Sequence, residues 1–303
     1  YAGDKYLEVS IREIEMPKAV LDILRPAFEQ SRIKVLSFKC NGRNGHLGDM
    51  ADFVKTVLQT NHFITEISFD GTEFAQEDVK TICDAIKSRN TGGQFIEHFG
   101  LAECSIDGEP TPTFLETQTL QMILTSTTSA GSRKVSLCLA ENGMSSREAV
   151  VIAEFLSSNP TLTELDLSTN CFEDADASVL ANVLSSNTNL RTLSLNGNEN
   201  LENWRSTFLR AIFDVSSLPS CAASNHTCRV RGLKRSRDRR RPNRSRLQDI
   251  SVLNGYESIS MNKWEKIFAM LALSSEDAFM NTTLLQGVPA QLIPMILSEA
   301  DYG

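Results

Sequence analysis

The chain has 303 residues, 41% hydrophobic and 22% charged, the balance of an ordinary soluble protein, and no stretch of it reaches the roughly 18 uncharged apolar residues of a membrane span. Its seven cysteines are scattered and odd in number, which argues against a disulfide scaffold and for reduced thiols in a reducing compartment. The net charge of −8 hides an asymmetry: residues 229–246 hold ten Arg/Lys and one acid, which leaves 20 basic and 37 acidic residues elsewhere.

At the N-terminus Asp4, Lys5 and Glu8 interrupt any apolar run, so nothing there reads as a signal peptide. The first residue is Tyr1 rather than Met, which leaves a removed leader or a truncation open. The expected location is intracellular, cytoplasmic first and nuclear as the alternative.

Read in chain order, the sequence repeats itself. A first unit is marked by Tyr6, Val9 and Ile11, and a second by Ile33, Leu36, Phe38 and Asn41. The glycine-rich NGRNGHLG at Asn41–Gly48 follows it; it lacks the Lys-Ser/Thr of a phosphate loop and the G-x-G-x-x-G of a dinucleotide site, and reads as a turn into a helix at Asp49–Leu58. Further units are marked by Ile64/Ile67/Phe69/Thr72 and Ile96/Phe99/Leu101/Cys104. From Lys134/Leu137/Leu139/Asn142 the step becomes regular, and LTELDLSTN at Leu162–Asn170 returns as LRTLSLNGN at Leu190–Asn198, 28 residues later. Both fit L-x-x-L-x-L-x-x-N and precede helical patterns, FEDADASVLANVLSS and ENWRSTFLRAIF. The same register predicts a start at Leu218, where Cys221 and Ala223 stand in leucine places and the array fades.

The physical reading is direct. Alternating apolar residues such as Leu165 and Leu167 make a short strand with one face buried, and Val179, Leu180, Val183 and Leu184 give the next helix an apolar stripe. A single strand–helix unit cannot cover its own apolar side, so neighbours stack into one core. Asn142, Asn170 and Asn198 are expected to bond the exposed backbone of the turn after each strand, with Cys104 in the same slot.

On these residues the chain resembles leucine-rich-repeat proteins of the ribonuclease-inhibitor type, over about residues 6–228. The resemblance implies an α/β solenoid, with a curved parallel sheet on the concave face and helices on the convex face, that binds a partner protein. The Ran GTPase-activating protein is built from similar repeats, so regulation of a small GTPase is an alternative that rests on fold analogy alone. The domains expected are the solenoid at 1–228, a basic flexible insert at 229–247 and a helical C-terminal cap at 248–303, with helices at Asn262–Leu273 and Pro289–Ala300.

Strand alternation assigns the faces. The residues pointing away from the core are Val35, Ser37 and Lys39; Glu66, Ser68 and Asp70; His98, Gly100 and Ala102; Ser136, Cys138 and Ala140; Glu164, Asp166 and Ser168; Thr192, Ser194 and Asn196. Seven strands at about 4.8 Å and about 20 Å of strand length give on the order of 700 Å², close to the ~800 Å² per partner of a standard interface. The partner-binding candidates are Glu66, Asp70, His98, Glu164, Asp166, Ser194 and Asn196, facing a partner with a basic surface.

His98 and Cys138 fall on neighbouring strands offset by two positions, about 8 Å apart, too far for a nucleophile–base dyad. Cys221, His226 and Cys228 give three of the four ligands a structural zinc needs. Glu164 and Asp166 share one strand face, but nothing nearby separates their pKa values. The chain is therefore expected to be non-enzymatic, with no cofactor and no metal. The basic stretch, with Arg235, Arg237, Arg239, Arg240 and Arg241 at its centre, has no aromatic residue for base stacking. It is open to three readings: a solvated insertion, nucleic-acid association or nuclear import through 229–246, or a mask folded on the acidic body.

Overall fold

The computed structural model describes residues 7–14, 16–39, 47–106, 117–128, 134–198, 201, 204–214, 216, 218–232, 254 and 265–266. Arg235, Arg237, Arg239, Arg240 and Arg241, and the two C-terminal helices apart from Glu265 and Lys266, lie outside the described residues.

Strands and helices alternate: β1 (Leu7–Arg12), α1 (Lys18–Gln30), β2 (Ile33–Lys39), α2 (Leu47–Thr60), β3 (Glu66–Asp70), β4 (Glu73–Phe74), α3 (Gln76–Thr91), β5 (His98–Ala102), β6 (Ser105–Ile106), α4 (Thr117–Thr127), β7 (Val135–Cys138), α5 (Ser146–Ser157), β8 (Leu162–Asp166), α6 (Asp174–Leu184), β9 (Thr192–Ser194), α7 (Trp204–Ile212), α8 (Leu218–Ala223) and β10 (Arg229–Arg231). Eight strands form one parallel sheet in the order β1-β2-β3-β5-β7-β8-β9-β10, with β4 and β6 paired beside it. This is an α/β architecture of parallel strands alternating with helices, consistent with the expected leucine-rich-repeat solenoid.

Register explains the core. Leu36, Ile67, Phe99, Leu137, Leu165, Leu193 and Val230 stand opposite one another across the sheet, all buried against the helices. The N-terminal units fill the next row with rings, where Phe38 and Phe69 stack with centroids 5.2 Å apart and Phe74 meets Phe69 edge-on. The C-terminal units use Leu139, Leu167 and Leu195 in that place, all buried.

Helix starts repeat as well. The carboxylates of Asp78, Glu148 and Asp176 each accept the backbone N–H three residues earlier, at Ala75, Ser145 and Glu173, which satisfies one orphan donor of each first turn. In α6 the buried side is Ala177, Leu180, Ala181 and Leu184, while Val179, expected in the apolar stripe, is 37% exposed.

The asparagines do more than bond their own turns. Asn170 Nδ2 donates to Leu167 O of its own strand and to Leu139 O of the preceding one, and its Oδ1 accepts the N–H groups of Asn142 and Met144. Asn142 and Asn198 repeat the bridge, and the Cys104 thiol reaches Ala102 O in the same slot. Just before them, Glu103, Glu141 and Thr169 hold positive φ at the station that Gly71 and Gly197 occupy elsewhere.

A second ladder, not anticipated from the sequence, closes the opposite end of the strands. Asn187 Nδ2 donates to Leu156 O, Asn225 Nδ2 to Leu184 O and Asn187 O, and Asn254 Nδ2 to Asn225 O and Cys228 O. Asn61 does the same toward Phe28 O and Ser31 O.

The last described unit departs from the expected register. Leu218–Ala223 is helix rather than strand, and the eighth strand is Arg229–Arg231, the first three residues of the arginine-rich stretch. Two helices, α7 and α8, stand between β9 and β10, so the 28-residue step lands on the first residue of α8 and falls short of the strand.

Candidate functional site

The face of the sheet opposite the helices carries the predicted residues in cross-strand rows. One row runs Val35, Glu66, His98, Ser136, Glu164, Thr192, Arg229, and the next runs Ser37, Ser68, Gly100, Cys138, Asp166, Ser194, Arg231. Period-two alternation therefore places the faces as read, including the irregular N-terminal units. Three strand steps separate the carboxylates of β3 from those of β8, about 14 Å.

The carboxylates are not equivalent. Lys39 Nζ donates to Asp70 Oδ2 at 2.7 Å, and Lys34 lies 3.7 Å from Glu66. That hydrogen bond, and then the charge of Asp70, raises the Lys39 pKa. Glu66 and Asp70 thus already have cationic neighbours from β2. On β8, Asp166 Oδ1 accepts the Ser168 N–H at 2.9 Å, and Glu164 Oε2 accepts from Ser136 Oγ at 3.4 Å.

His98 sits between the two acidic pairs. Its Nδ1 is 3.1 Å from Ser136 Oγ. Ser136 Oγ is thus shared between Glu164 and the imidazole, and the tautomer of His98 sets which of Nδ1 and Oγ donates. Burial lowers the His98 pKa, and the charges of Glu66 and Glu164 oppose that shift without reversing it. A Cβ added at Gly100 would stand 3.4 Å from His98 Nε2 and 3.1 Å from Ser68 Cβ, so the missing side chain makes room for the imidazole.

This geometry is poor for catalysis. In the Glu164–Ser136–His98 chain, Ser136 Oγ lies 3.4 Å from Glu164 Oε2 and 3.1 Å from His98 Nδ1. The Cys138 thiol, across the face from His98, has its pKa raised by burial and by Asp166 and Asp70, the reverse of what a thiolate nucleophile needs. At the far end, Cys221 and Cys228 are fully buried and His226 Nε2 lies 2.9 Å from Cys221 O. Among the described residues no group of three His, Cys, Asp or Glu is arranged to hold a metal.

Two predicted contact residues at β9 differ. Ser194 is 4% exposed, flanked in register by Asp166 and Arg231, and leaves the accessible part of the strip; Asn196 is exposed beside it. The cations at the last strand were not anticipated as part of this face: Arg229 and Arg231 continue the two rows. On the helix side, a groove of about 500 Å³ opens between α6 and α7, lined by Ser178, Asn182, Ser185, Ser206, Thr207 and Arg210.

Comparison with known protein families gives a match. The family described as Leucine Rich repeat matches residues 158–181, which span β8 and most of α6. The match supports a leucine-rich-repeat protein, in agreement with the parallel sheet. No curated protein matches the chain. No described helix is long and apolar enough to cross a membrane.

Proposed function

We propose that this leucine-rich-repeat solenoid is a non-enzymatic scaffold that binds a protein partner through the open, concave face of its sheet. Leucine-rich-repeat domains generally mediate protein–protein interaction. The observation that carries the reading is the acidic centre of the face: the carboxylates of Glu66, Asp70, Glu164 and Asp166, with His98 between them. Such a strip calls for donors, and Lys or Arg side chains on a basic surface supply them with the matching charge. Lys34 and Lys39 at one end and Arg229 and Arg231 at the other confine the acidic zone to the middle strands. A compact basic patch fits it better than a long cationic surface.

The test takes a partner captured from native extract and follows its association with the intact protein and with a Glu164→Lys/Asp166→Lys variant. Association slowed about tenfold, with a reversed salt dependence, is expected if the partner docks here. Unchanged kinetics would move the interface off this face.

A helix of 11 to 16 residues accompanies each of the units from α2 to α6, which supports the ribonuclease-inhibitor type. Six described cysteines are all free thiols, which supports an intracellular, reducing location. We place the repeat part through β10, which ends at Arg231; the expected insert beyond Gly232 and nearly all of the expected cap lie outside the described residues.

One observation favours a second role for the basic stretch 229–246: its first arginines, Arg229 and Arg231, belong to β10 and stand on the open face itself. Nucleic-acid association through this stretch would weaken steeply with salt. Deleting residues 233–246, which spares β10, should abolish it; a deletion variant that still binds would sink this role.

A further inference from the structure

A strand at the edge of a sheet exposes backbone and side-chain surface that a partner can cover. At the β1 end the surface is apolar. Leu7 is 52% exposed and Val9 and Ile11 are half-buried, whereas their register partners Ile33, Leu36 and Phe38 on β2 are covered. Among the described residues no strand pairs with the free edge of β1.

Helix α1 repeats the pattern. Leu21 and Phe28 point into the core, and Lys18 reaches Asp49 of α2 at 3.9 Å, which fixes the flank that faces the next unit. The opposite flank carries Val20, Ile23, Leu24 and Ala27, the i, i+3, i+4, i+7 spacing of one helix stripe. Ile23 is 77% exposed on it, and Ile14, in the loop before the helix, is 57% exposed. A face about 20 Å along the strand and about 25 Å deep through strand and helix offers about 500 Å² per chain. Two such faces together reach the ~1,000 Å² that a specific interface needs.

The charges on β1 say what fits. Its solvent side presents Glu8 and Arg12 symmetrically about Ser10, and both ions are exposed. We propose that this face is covered by a second copy of the chain, related by a two-fold axis at Ser10, with the two β1 strands antiparallel. Glu8 of each copy then stands opposite Arg12 of the other, Val9 stands opposite Ile11 on the inner side, and the apolar flanks of α1 pack together. Moving the axis to Val9 or Ile11 keeps the faces aligned but sets Glu8 or Arg12 against Ser10, so the charges select one register. The axis runs perpendicular to the sheet, so the open faces of both copies point the same way and form one continuous strip.

The experiment is sedimentation equilibrium on the full chain. A mass twice the monomer's 33.6 kDa is expected at tens of µM. Ile23→Glu should leave a monomer, with circular dichroism unchanged because the position is exposed. Arg12→Glu should weaken association about tenfold, since two attractive pairs become repulsive, and Glu8→Arg/Arg12→Glu should restore it. Ser10→Cys should cross-link under mild oxidation above the wild-type level, because antiparallel partners on the axis have Cα atoms about 5 Å apart. A monomer at about 100 µM, or a dimer indifferent to all of these substitutions, would overturn the proposal.

Discussion

Replacing Asn170 by Ala removes the side chain that joins its own unit to the preceding one. Its Nδ2 donates to Leu139 O and Leu167 O at 3.0 Å and to Ser168 O at 3.3 Å, and its Oδ1 accepts from Asn142 N and Met144 N at 3.0 Å. Asn170 is 5% exposed, so water reaches these groups only if the turn opens. Alanine would leave two buried N–H groups and at least two carbonyls unpaired. At about 1–3 kcal/mol for each orphaned group, and allowing for partial relaxation around the small residue, the cost is about 3–5 kcal/mol. That is a large share of the ~5–15 kcal/mol that holds a folded protein.

The assay is equilibrium urea unfolding followed by far-UV circular dichroism, with hydrogen exchange at the Asn142 and Met144 amides. Asn170→Asp keeps the acceptor, loses the donors and places a buried carboxylate against three carbonyls, so it should be at least as damaging at neutral pH. Asn196→Ala, at an exposed position two residues before Asn198, is the control and should cost under about 0.5 kcal/mol. A loss below about 1 kcal/mol for Asn170→Ala, with both amides still protected, would refute the ladder as a structural device.

Other outcomes follow from the same structure. Arg89 is buried, donates at 2.6 Å to Leu58 O, Asn61 O and Ile64 O, and has its pKa lowered to about 10 by burial. Arg89→Met should cost about 3 kcal/mol in chemical denaturation, because the carbonyls ending α2 lose charged donors; an effect under about 1 kcal/mol would show that these bonds are dispensable. His98 has a pKa lowered below the ordinary value of 6.5, chiefly by burial. The unfolded chain therefore binds this proton first, so stability is full above pH 6.5 and declines as pH falls toward the folded-state pKa. His98→Gln should remove that component of the urea midpoint's pH dependence, and an identical profile would contradict it. Cys171 is exposed, whereas burial raises the thiols of Cys83, Cys104 and Cys228 to about 12. A thiol reagent should label Cys171 in the native state and reach those three only on unfolding, read by peptide mass.

Much of this fold was legible because its signal is periodic. Leu162–Asn170 and Leu190–Asn198 set both strand and turn, and period-two alternation then placed Glu164 and Asp166 on the open face. The eighth strand was not legible from a fixed step, since α8 lengthens its unit. A better marker lay in the chain: Ser158-Asn159-Pro160-Thr161-Leu162, Ser186-Asn187-Thr188-Asn189-Leu190 and Ser224-Asn225-His226-Thr227-Cys228 share an asparagine three residues before a buried one. In the latter two, the Asn Oδ1 accepts the N–H of that buried residue, which fixes the start of the strand. The pairing of Lys39 with Asp70 escaped the sequence because it depends on inter-strand register, which irregular steps of 31 and 32 residues do not reveal.

The division of labour among polar residues bears on how the binding face is tested. The polar side chains that hold the fold stand at the strand ends and helix starts: Asn142, Asn170, Asn187, Asn198 and Asn225 in the two ladders, Asp78, Glu148 and Asp176 at the caps, all buried. Glu66, Asp70, Glu164 and Asp166 are only half-buried, and their contacts include side-chain partners on neighbouring strands: Lys34, Lys39 and Ser136. Charge reversal on the open face should therefore cost little stability, about 0.5 kcal/mol or less per site, whereas the same change in a ladder unfolds the unit. A Glu164→Lys/Asp166→Lys variant that keeps its urea midpoint but loses its partner would locate binding on the face; one that loses both would show that these carboxylates belong to the scaffold.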